Sequence, residues 1–149
     1  MRLIFDIEAN SLTPDIVHCI VARDVDTDEE FVFRPDQLDQ GLEILGKAEC
    51  LIGHNIMGYD LPALKNVLGF EYEGQVRDTL VMARLIWSDI RNADFTLYHK
   101  GKLPPKVIGS HSLKAWGYRL GELKGEFGEQ EDFEEFTEEM LEYCRQDVV

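Results

Sequence analysis

The stretch Arg2-Leu3-Ile4-Phe5-Asp6-Ile7-Glu8 decides the fold that this 149-residue sequence predicts. Its apolar, partly β-branched residues are typical of a strand, in which successive side chains point to opposite faces. Asp6 and Glu8 therefore project from the same face. Because burying carboxylates without partners is costly, we expect both to lie at a strand end that faces a cation. The alternative is an acidic pair on the solvent face of a half-exposed strand.

The segments that follow extend this strand into a sheet. Further strands are predicted at 16–23 and 30–34 with turn-forming residues between them, so the first three strands form an antiparallel meander. Leucines then recur at helical spacing from 38 to 45 and precede the apolar run 50–53. Such a run suits a buried strand that is parallel to the first and is reached by a helical crossover.

Four helices are predicted after this sheet begins, at 61–68, 78–87, 112–120 and 137–149. Gly69 is placed to end the first of them, and Asp78 to cap the first turn of the second. The stretch 88–109 lacks clear periodicity and contains two prolines and two glycines, so we predict a long loop there. An acidic connection over 125–135 leads into the last helix.

Two more acidic residues and a tyrosine stand at positions suited to the same site. Asp60 follows the strand 50–53 closely, just beyond its carboxyl end and near a helix start, where a helix N-cap is a compatible alternative role. Tyr143 and Asp147 are four residues apart in the last helix and so share one face. A phenol one turn from a ligand carboxylate can orient a metal-bound water for attack at phosphorus. The alternative is a pair of surface residues on an acidic helix.

Four carboxylates from separate segments suit hard divalent cations, which take oxygen ligands. Two such cations roughly 3.5 to 4 Å apart stabilise both the attacking and the leaving oxygen of an in-line phosphoryl displacement. A zinc site is not expected, because the three cysteines form no CxxC pair and the four histidines form no HExxH motif. The sequence therefore predicts a two-metal-ion nuclease site that uses Mg2+ or Mn2+.

Composition bounds the remaining possibilities. With 44% hydrophobic residues, the chain suits one compact domain over 1–149. A charged residue occurs too early for a secretory signal or a membrane span, and the cysteine number is odd. We therefore expect a reduced, cytoplasmic protein with no membrane partner.

A net charge of −14 argues against a nucleic-acid partner, but the charge is unevenly placed. Residues 84–124 carry eight Lys or Arg against three acids. We interpret this segment as a phosphate-contacting surface, with a solvated loop as the alternative. Its candidate contacts are Arg91, Lys100, Lys102 and Lys106. The stretch that begins at Ser110-His111 adds polar and aromatic groups of the kind that bind phosphates and bases.

The motifs together resemble those of the DEDDy group of 3′→5′ exonucleases, the proofreading group attached to family A DNA polymerases. The three exonuclease motifs correspond to Asp6-x-Glu8, Asn55-x-x-x-Tyr59-Asp60 and Tyr143-x-x-x-Asp147. The resemblance is strongest to the amino-terminal exonuclease domain of short-tailed bacteriophage polymerases of the T-seven type. It covers nearly the whole chain and is carried also by the stretches 6–10, 101–104, 110–111, 115–122 and 146–149.

The resemblance implies a ribonuclease H-like (DnaQ-like exonuclease) α/β fold, in which helices flank a mixed sheet. It implies that Asp6, Glu8 and Asp147 ligate one divalent cation, and that Asp6 and, through water, Asp60 hold the second. By the same resemblance, Tyr143 positions the attacking water.

Two further positions acquire roles from the resemblance alone. Leu12 matches a position that wedges near the terminal bases, and Asn55 matches a position that contacts the substrate. No polymerase follows, and the sequence ends two residues after Asp147. We therefore expect either an excised or truncated domain or a stand-alone exonuclease.

The leading hypothesis is a 3′→5′ exonuclease that acts on the 3′ ends of single-stranded or frayed DNA and releases 5′-monophosphates. Its expected partners are these DNA ends and a polymerase, as an attached domain or a separate subunit, in the host cytoplasm if a bacteriophage encodes it. One alternative is a DEDD-type exoribonuclease. The other is a non-catalytic module that binds single strands or docks a polymerase, and the presence of all four acids argues against it.

Overall fold

The computed structural model describes residues 1–122 and 133–149. These residues form two compact units, a sheet unit of 1–78 with 133–149 and a helical unit of 79–122, and the single domain over 1–149 stays a prediction. The strands are β1 (Arg2–Ala9), β2 (Val17–Asp24), β3 (Glu30–Phe33), β4 (Cys50–Gly53) and β5 (Gln75–Asp78). The helices are α1 (Leu38–Lys47), α2 (Asp60–Leu68), α3 (Thr79–Ile86), α4 (Ile90–His99), α5 (Leu113–Leu120) and α6 (Glu138–Asp147), with 3-10 helices at Pro35–Gln37 and Pro105–Val107.

The strands of the sheet unit form one mixed sheet in the order β3-β2-β1-β4-β5. β1, β2 and β3 are antiparallel neighbours, whereas β4 runs parallel to β1 and β5 runs parallel to β4. The predicted meander and the predicted parallel strand are therefore confirmed. The predicted fold class is confirmed as well, since a mixed sheet flanked by helices is consistent with a ribonuclease H-like fold.

Alternation along β1 separates the main core from the carboxylates. Leu3, Phe5 and Ile7 are buried in the larger apolar cluster, which also takes in residues of α1 and α2. Asp6 and Glu8 alternate with them and therefore belong to the opposite face of the sheet. One strand thus supplies the core on one side and two acidic groups on the other.

Helix α6 packs on the carboxylate-bearing face of the sheet. Leu141 and Cys144 of this helix and its C-cap Val148 form a buried cluster with Cys19 and Val21 of β2. Full burial of a side chain such as valine or leucine contributes about 1.5 to 3 kcal/mol. Two exposed ion pairs also link α6 to the ends of β3, Arg145 with Glu30 and Glu138 with Arg34. Exposed pairs contribute only about 0 to 1 kcal/mol each. Apolar burial therefore fixes the position of α6.

The predicted helices agree with the structure to within two residues, and the helix predicted at 78–87 is α3, Thr79–Ile86. The four residues before it form the strand β5, which the sequence did not predict. The backbone of Asp78 pairs with Gly53, and its carboxylate accepts hydrogen bonds from the N–H groups of Asn55 and Met57, each at 3.0 Å. Asp78 thus stabilises a loop more than twenty residues earlier in the sequence. Its position before a helix does not reveal this contact.

The loop predicted over 88–109 is wrong, because α4 and the second 3-10 helix lie within it. The residue that α4 buries is Asp94, which is fully enclosed. Helices are predicted from apolar residues that recur every three or four positions. A charged residue at the buried position interrupts that pattern. The acidic connection predicted for 125–135 falls largely outside the described residues.

A buried ion pair organises the helical unit. The guanidinium of Arg119 on α5 donates to both carboxylate oxygens of Asp94, from Nε at 2.8 Å and from Nη2 at 2.7 Å. The same Nη2 donates to the carbonyl oxygen of Ser110 at 2.6 Å, and the N–H of Gly109 donates to Asp94 at 2.8 Å. The pair therefore holds the loop before α5 as well as the two helices.

Among residues 1–122 and 133–149, no helix is both long enough and apolar enough to cross a membrane.

We expect Asp94→Asn to lower the free energy of unfolding by about 3 to 5 kcal/mol, because it leaves the buried guanidinium of Arg119 without a countercharge. Urea unfolding at pH 7 measures this loss. Asp26→Asn is the matched control, because the ion pair of Asp26 with Arg2 is exposed and its removal should change stability little. Equal effects of both substitutions would contradict the prediction.

The same pair predicts a pH dependence. Arg119 holds the pKa of Asp94 below its usual value. A lowered carboxyl pKa contributes stability that is present above the ordinary value near 4 and is lost as the pH falls through the lower pKa of the folded state. The difference in stability between parent and Asp94→Asn should therefore shrink below about pH 4. A difference that stays constant down to pH 2 would argue against this contribution.

Candidate functional site

The carboxylates of Asp6 and Glu8 meet helix α6 at Cys144. One carboxylate oxygen from each acid and the sulfur of Cys144 all lie within 4.8 Å of one another. Both acids are partly buried, and Cys144 is fully buried. The structure thus brings the amino-terminal and carboxyl-terminal motifs to one point.

Asp60 contacts β1 from the first turn of α2. It is 3% exposed, and its Oδ1 accepts a hydrogen bond from the N–H of Ile7 at 3.2 Å, between the two acids of β1. The N-cap of α2 is Tyr59, so Asp60 is the first helical residue and its carboxylate reaches across to β1. Burial raises the pKa of Asp60 to about 7, and the charge of Asp78 adds to the effect.

The loop between β4 and α2 places Asp60 by close backbone packing. A Cβ added at Gly53 would lie 2.8 Å from the carbonyl oxygen of Phe5 in β1 and 2.3 Å from the side chain of Ile56. Glycine is therefore required where the loop leaves the sheet. Asn55 takes a left-handed backbone conformation with φ of 66°, and its N–H is held by Asp78. These contacts set the path that carries the chain from β4 to Asp60.

Negative charge accumulates around these acids. Burial, together with the charges of Asp60, Glu8 and Asp6, raises the pKa of Tyr59 to about 12. Carboxylate oxygens of Asp6 and Glu8 lie within 4.8 Å of each other, and Asp60 bonds to the backbone between them. Carboxylate oxygens so arranged form a donor set that fits hard divalent cations such as Mg2+ or Mn2+. Asp6, Glu8 and Asp60 are the residues whose positions suit such ions.

Tyr143 and Asp147 lie one turn apart on α6, and both are partly buried. Within the described residues, the group that meets within 4.8 Å contains Cys144 from this helix, and Asp60 and Asp147 lie outside it. The helix that carries both predicted residues therefore contacts Asp6 and Glu8, and Cys144 is the residue that it contributes to that group.

Cys144 belongs to no CxxC pair, so a cysteine motif does not reveal its place at the site. Its thiol donates a hydrogen bond to Oδ2 of Asp6 at 3.4 Å. Burial raises the pKa of this thiol well above its usual range, and Cys19 and the charges of Asp6 and Glu8 add to the effect. A sequence signal existed, since Cys144 precedes Asp147 by three residues and so lies near it on the helix surface.

The predicted wedge residue lines a small cleft near the start of α2. Leu12 is 91% exposed and, with Tyr59 and Pro62 among others, lines a cleft of about 220 Å³. The hydroxyl of Tyr59 donates to the carbonyl oxygen of Ser11 at 2.7 Å and so ties the loop of Leu12 to the start of α2. Asn55 is exposed in the loop before this helix.

The basic candidates belong to the helical unit. Lys100, Lys102 and Lys106 are exposed, and Arg91 lies on α4 with its guanidinium 5.7 Å from the ring centroid of Phe95. Ser110 and His111 precede α5, where Arg119 and Asp94 fix the backbone. Their contact with a substrate stays a prediction.

Comparison with known proteins supplies relatives of this chain. No protein-family model matches it. It is 37% identical to the DNA-directed DNA polymerase of Escherichia phage T7, over 99% of this chain and 25% of the polymerase. The DNA-directed DNA polymerase of Enterobacteria phage T3 matches with the same identity and the same coverage. The chain thus spans about a quarter of the length of these curated relatives, and the resemblance to phage polymerases of the T-seven type is confirmed.

Among solved structures, the chain is similar to the family B DNA polymerase from the hyperthermophilic archaeon Pyrobaculum calidifontis. The TM-score is 0.38 and the identity 25%, over 50% of this chain and 12% of that one.

The burial of Asp60 predicts how the metal-free protein responds to pH. A carboxyl pKa raised to about 7 contributes stability that is present below the ordinary value near 4 and is lost as the pH rises through 7. Asp60→Asn keeps the oxygen that accepts from Ile7 and removes the charge. In EDTA we therefore expect the variant to match the parent near pH 4 and to exceed its stability at pH 8 by a few kcal/mol. Urea unfolding at both pH values measures this, and a difference independent of pH would contradict it.

Proposed function

We propose that this chain is a metal-dependent 3′→5′ exonuclease. It matches two phage DNA polymerases over a quarter of the length of each. It removes nucleotides from the 3′ end of single-stranded or frayed DNA and releases 5′-monophosphates, as a proofreading activity does. The observation that carries this proposal is the convergence of three distant segments at β1. Asp6 and Glu8 meet Cys144 of α6 within 4.8 Å, and Asp60 bonds to the backbone between them.

The acids in this arrangement suit two divalent cations, Mg2+ or Mn2+. In our proposal Asp6, Glu8 and Asp147 hold one cation, and Asp6 and, through water, Asp60 hold the other. Two cations at such a site stabilise the attacking and leaving oxygens of a phosphodiester under displacement. The charge accumulated at Asp6, Glu8 and Asp60 supports this assignment, because close carboxylates repel one another until a cation offsets them.

The protein's own groups supply orientation. Tyr143 lies one turn before Asp147 on the helix that meets Asp6, and we assign its hydroxyl to orient the attacking water. The cleft beside Leu12 and Tyr59 receives the terminal base, with Leu12 as the wedge against its neighbour. Asn55 contacts the same strand from the loop before α2. Each of these groups acts by holding a reactant in place, which is how an in-line displacement gains most from a protein.

DNA is the proposed substrate because both matched relatives are DNA-directed DNA polymerases. A polymerase, attached or separate, is the proposed partner that delivers the 3′ end. We place the activity in the cytoplasm of a host cell, since both relatives are phage proteins.

The direct test uses single-stranded DNA and RNA of one sequence, each labelled at the 5′ end, with Mg2+, Mn2+ or EDTA. We expect the DNA to shorten one nucleotide at a time from its 3′ end with either metal and to stay intact in EDTA. Preferential shortening of RNA would establish an exoribonuclease instead. Binding without shortening under every condition would establish a non-catalytic module.

Asp6→Ala should abolish turnover, because Asp6 would contact both cations and no neighbour replaces a shared carboxylate. The expected loss is on the order of 10³-fold or more in rate. Asp36→Ala, a substitution in an exposed 3-10 helix, is the matched control and should keep the parental rate. An Asp6→Ala protein that retains more than about a tenth of the parental rate would refute the assignment.

The basic segment generates a separate prediction. If Lys100, Lys102 and Lys106 contact phosphates, replacing all three by alanine should raise KM on single-stranded DNA and leave kcat nearly unchanged. Each lost contact should reduce the log-log slope of binding against salt by roughly 0.7. The measurement is KM at several salt concentrations, with an exposed lysine of the sheet unit, Lys47→Ala, as control. An unaltered slope would show that these lysines are merely solvated.

A further inference from the structure

Cys144 occupies two environments at once. Its side chain is fully buried among Leu141, Val148 and the β2 residues of the apolar cluster under α6. Its sulfur also lies 3.4 Å from Oδ2 of Asp6 and belongs to the group of donor atoms within 4.8 Å that includes Glu8. Packing therefore places a hydrogen-bond donor directly against a proposed metal ligand.

The chemistry of this contact favours orientation over ligation. Mg2+ and Mn2+ prefer oxygen ligands, whereas thiolate sulfur selects softer metals. A thiol can instead donate its proton in a hydrogen bond to a carboxylate oxygen. The carboxylate of Asp6 can rotate about its side-chain bonds, and a donor fixed in a packed helix limits that rotation.

We infer that Cys144 is a positioning residue, which holds the carboxylate of Asp6 in the orientation that binds divalent cations. This inference rests on the proposed exonuclease function and deepens it. It also gives α6 a second task, because the helix that brings Tyr143 and Asp147 to the site then orients the acid of β1 as well. Removal of a group that hydrogen-bonds to a metal ligand typically lowers metal affinity or activity by about 10 to 100-fold.

Cys19 provides the matched control against simple packing. It is fully buried in the same cluster, is the same residue type, and lies on β2. Cys19→Ala removes a sulfur that contacts Cys144 in the same apolar cluster, and it leaves the thiol of Cys144 beside Asp6. A purely structural role of Cys144 would therefore make the two alanine variants alike.

The experiment measures Mn2+ binding by isothermal titration calorimetry, together with kcat and KM on single-stranded DNA at limiting and saturating Mn2+. The variants are Cys144→Ala, Cys144→Ser, which keeps a donor, Cys19→Ala and Asp6→Ala. Cys144→Val keeps the buried volume without a donor, and it replaces Cys144→Ala if that variant does not fold.

We expect Cys144→Ala to weaken Mn2+ binding by about 10-fold or more, Cys144→Ser to stay within about 3-fold of the parent, and Cys19→Ala to match the parent. The kcat of Cys144→Ala at limiting Mn2+ should fall, recover at saturating Mn2+, and leave KM for DNA unchanged. Parental Mn2+ affinity in Cys144→Ala would overturn the inference. So would equal losses in Cys19→Ala and Cys144→Ala, or a serine variant as weak as the alanine variant.

The two proposals fail in different ways. If the parent binds Mn2+ and Asp6→Ala does not, but Cys144→Ala binds like the parent, the inference fails and the proposed function stands. If Asp6→Ala binds Mn2+ as the parent does and neither degrades DNA, the proposed function fails and the inference fails with it.

Discussion

The burial of Leu141, Cys144 and Val148 against β2 is the interaction on which the arrangement of the site depends. It presses α6 onto the face of the sheet that carries Asp6 and Glu8, so that residues more than 130 positions apart come within hydrogen-bonding distance. The exposed ion pairs beside it add little, because solvated charges gain little from pairing. Apolar contacts thus set the position of the site. The residues that make them alternate along the chain with Tyr143 and Asp147.

Strand alternation is the second constraint. Because every second residue of β1 enters the main core, the two acids cannot be moved to that side without a shift of register that would expose Leu3, Phe5 and Ile7. The strand is therefore fixed by its apolar residues, and its acids are held in place by the same packing. A site built on such a strand keeps its geometry even while its charges repel one another.

That repulsion is the cost of the arrangement. Asp60 is nearly enclosed and close to another acid, Asp78, and both conditions favour its neutral form. The hydrogen bond from Ile7 offsets part of this cost by stabilising the charged form. The helical unit handles its buried acid in the opposite way, since Asp94 is neutralised directly by Arg119. The guanidinium lowers the pKa of Asp94, whereas burial raises the pKa of Asp60.

The sequence by itself determined the elements whose periods are strong. Alternation in β1 and helical leucines before β4 identified the mixed sheet and placed Asp6 and Glu8 on it. Glycine at the end of α2 identified the helix that Asp60 begins, because such patterns reflect local backbone geometry. Tertiary structure alone decided the rest. The helix α4 was hidden because its buried residue is a charged one, which only Arg119 on another helix makes tolerable. The roles of Asp78 and Cys144 were hidden for the same physical reason: each side chain bonds to a partner far away in sequence, and no local period records such a contact.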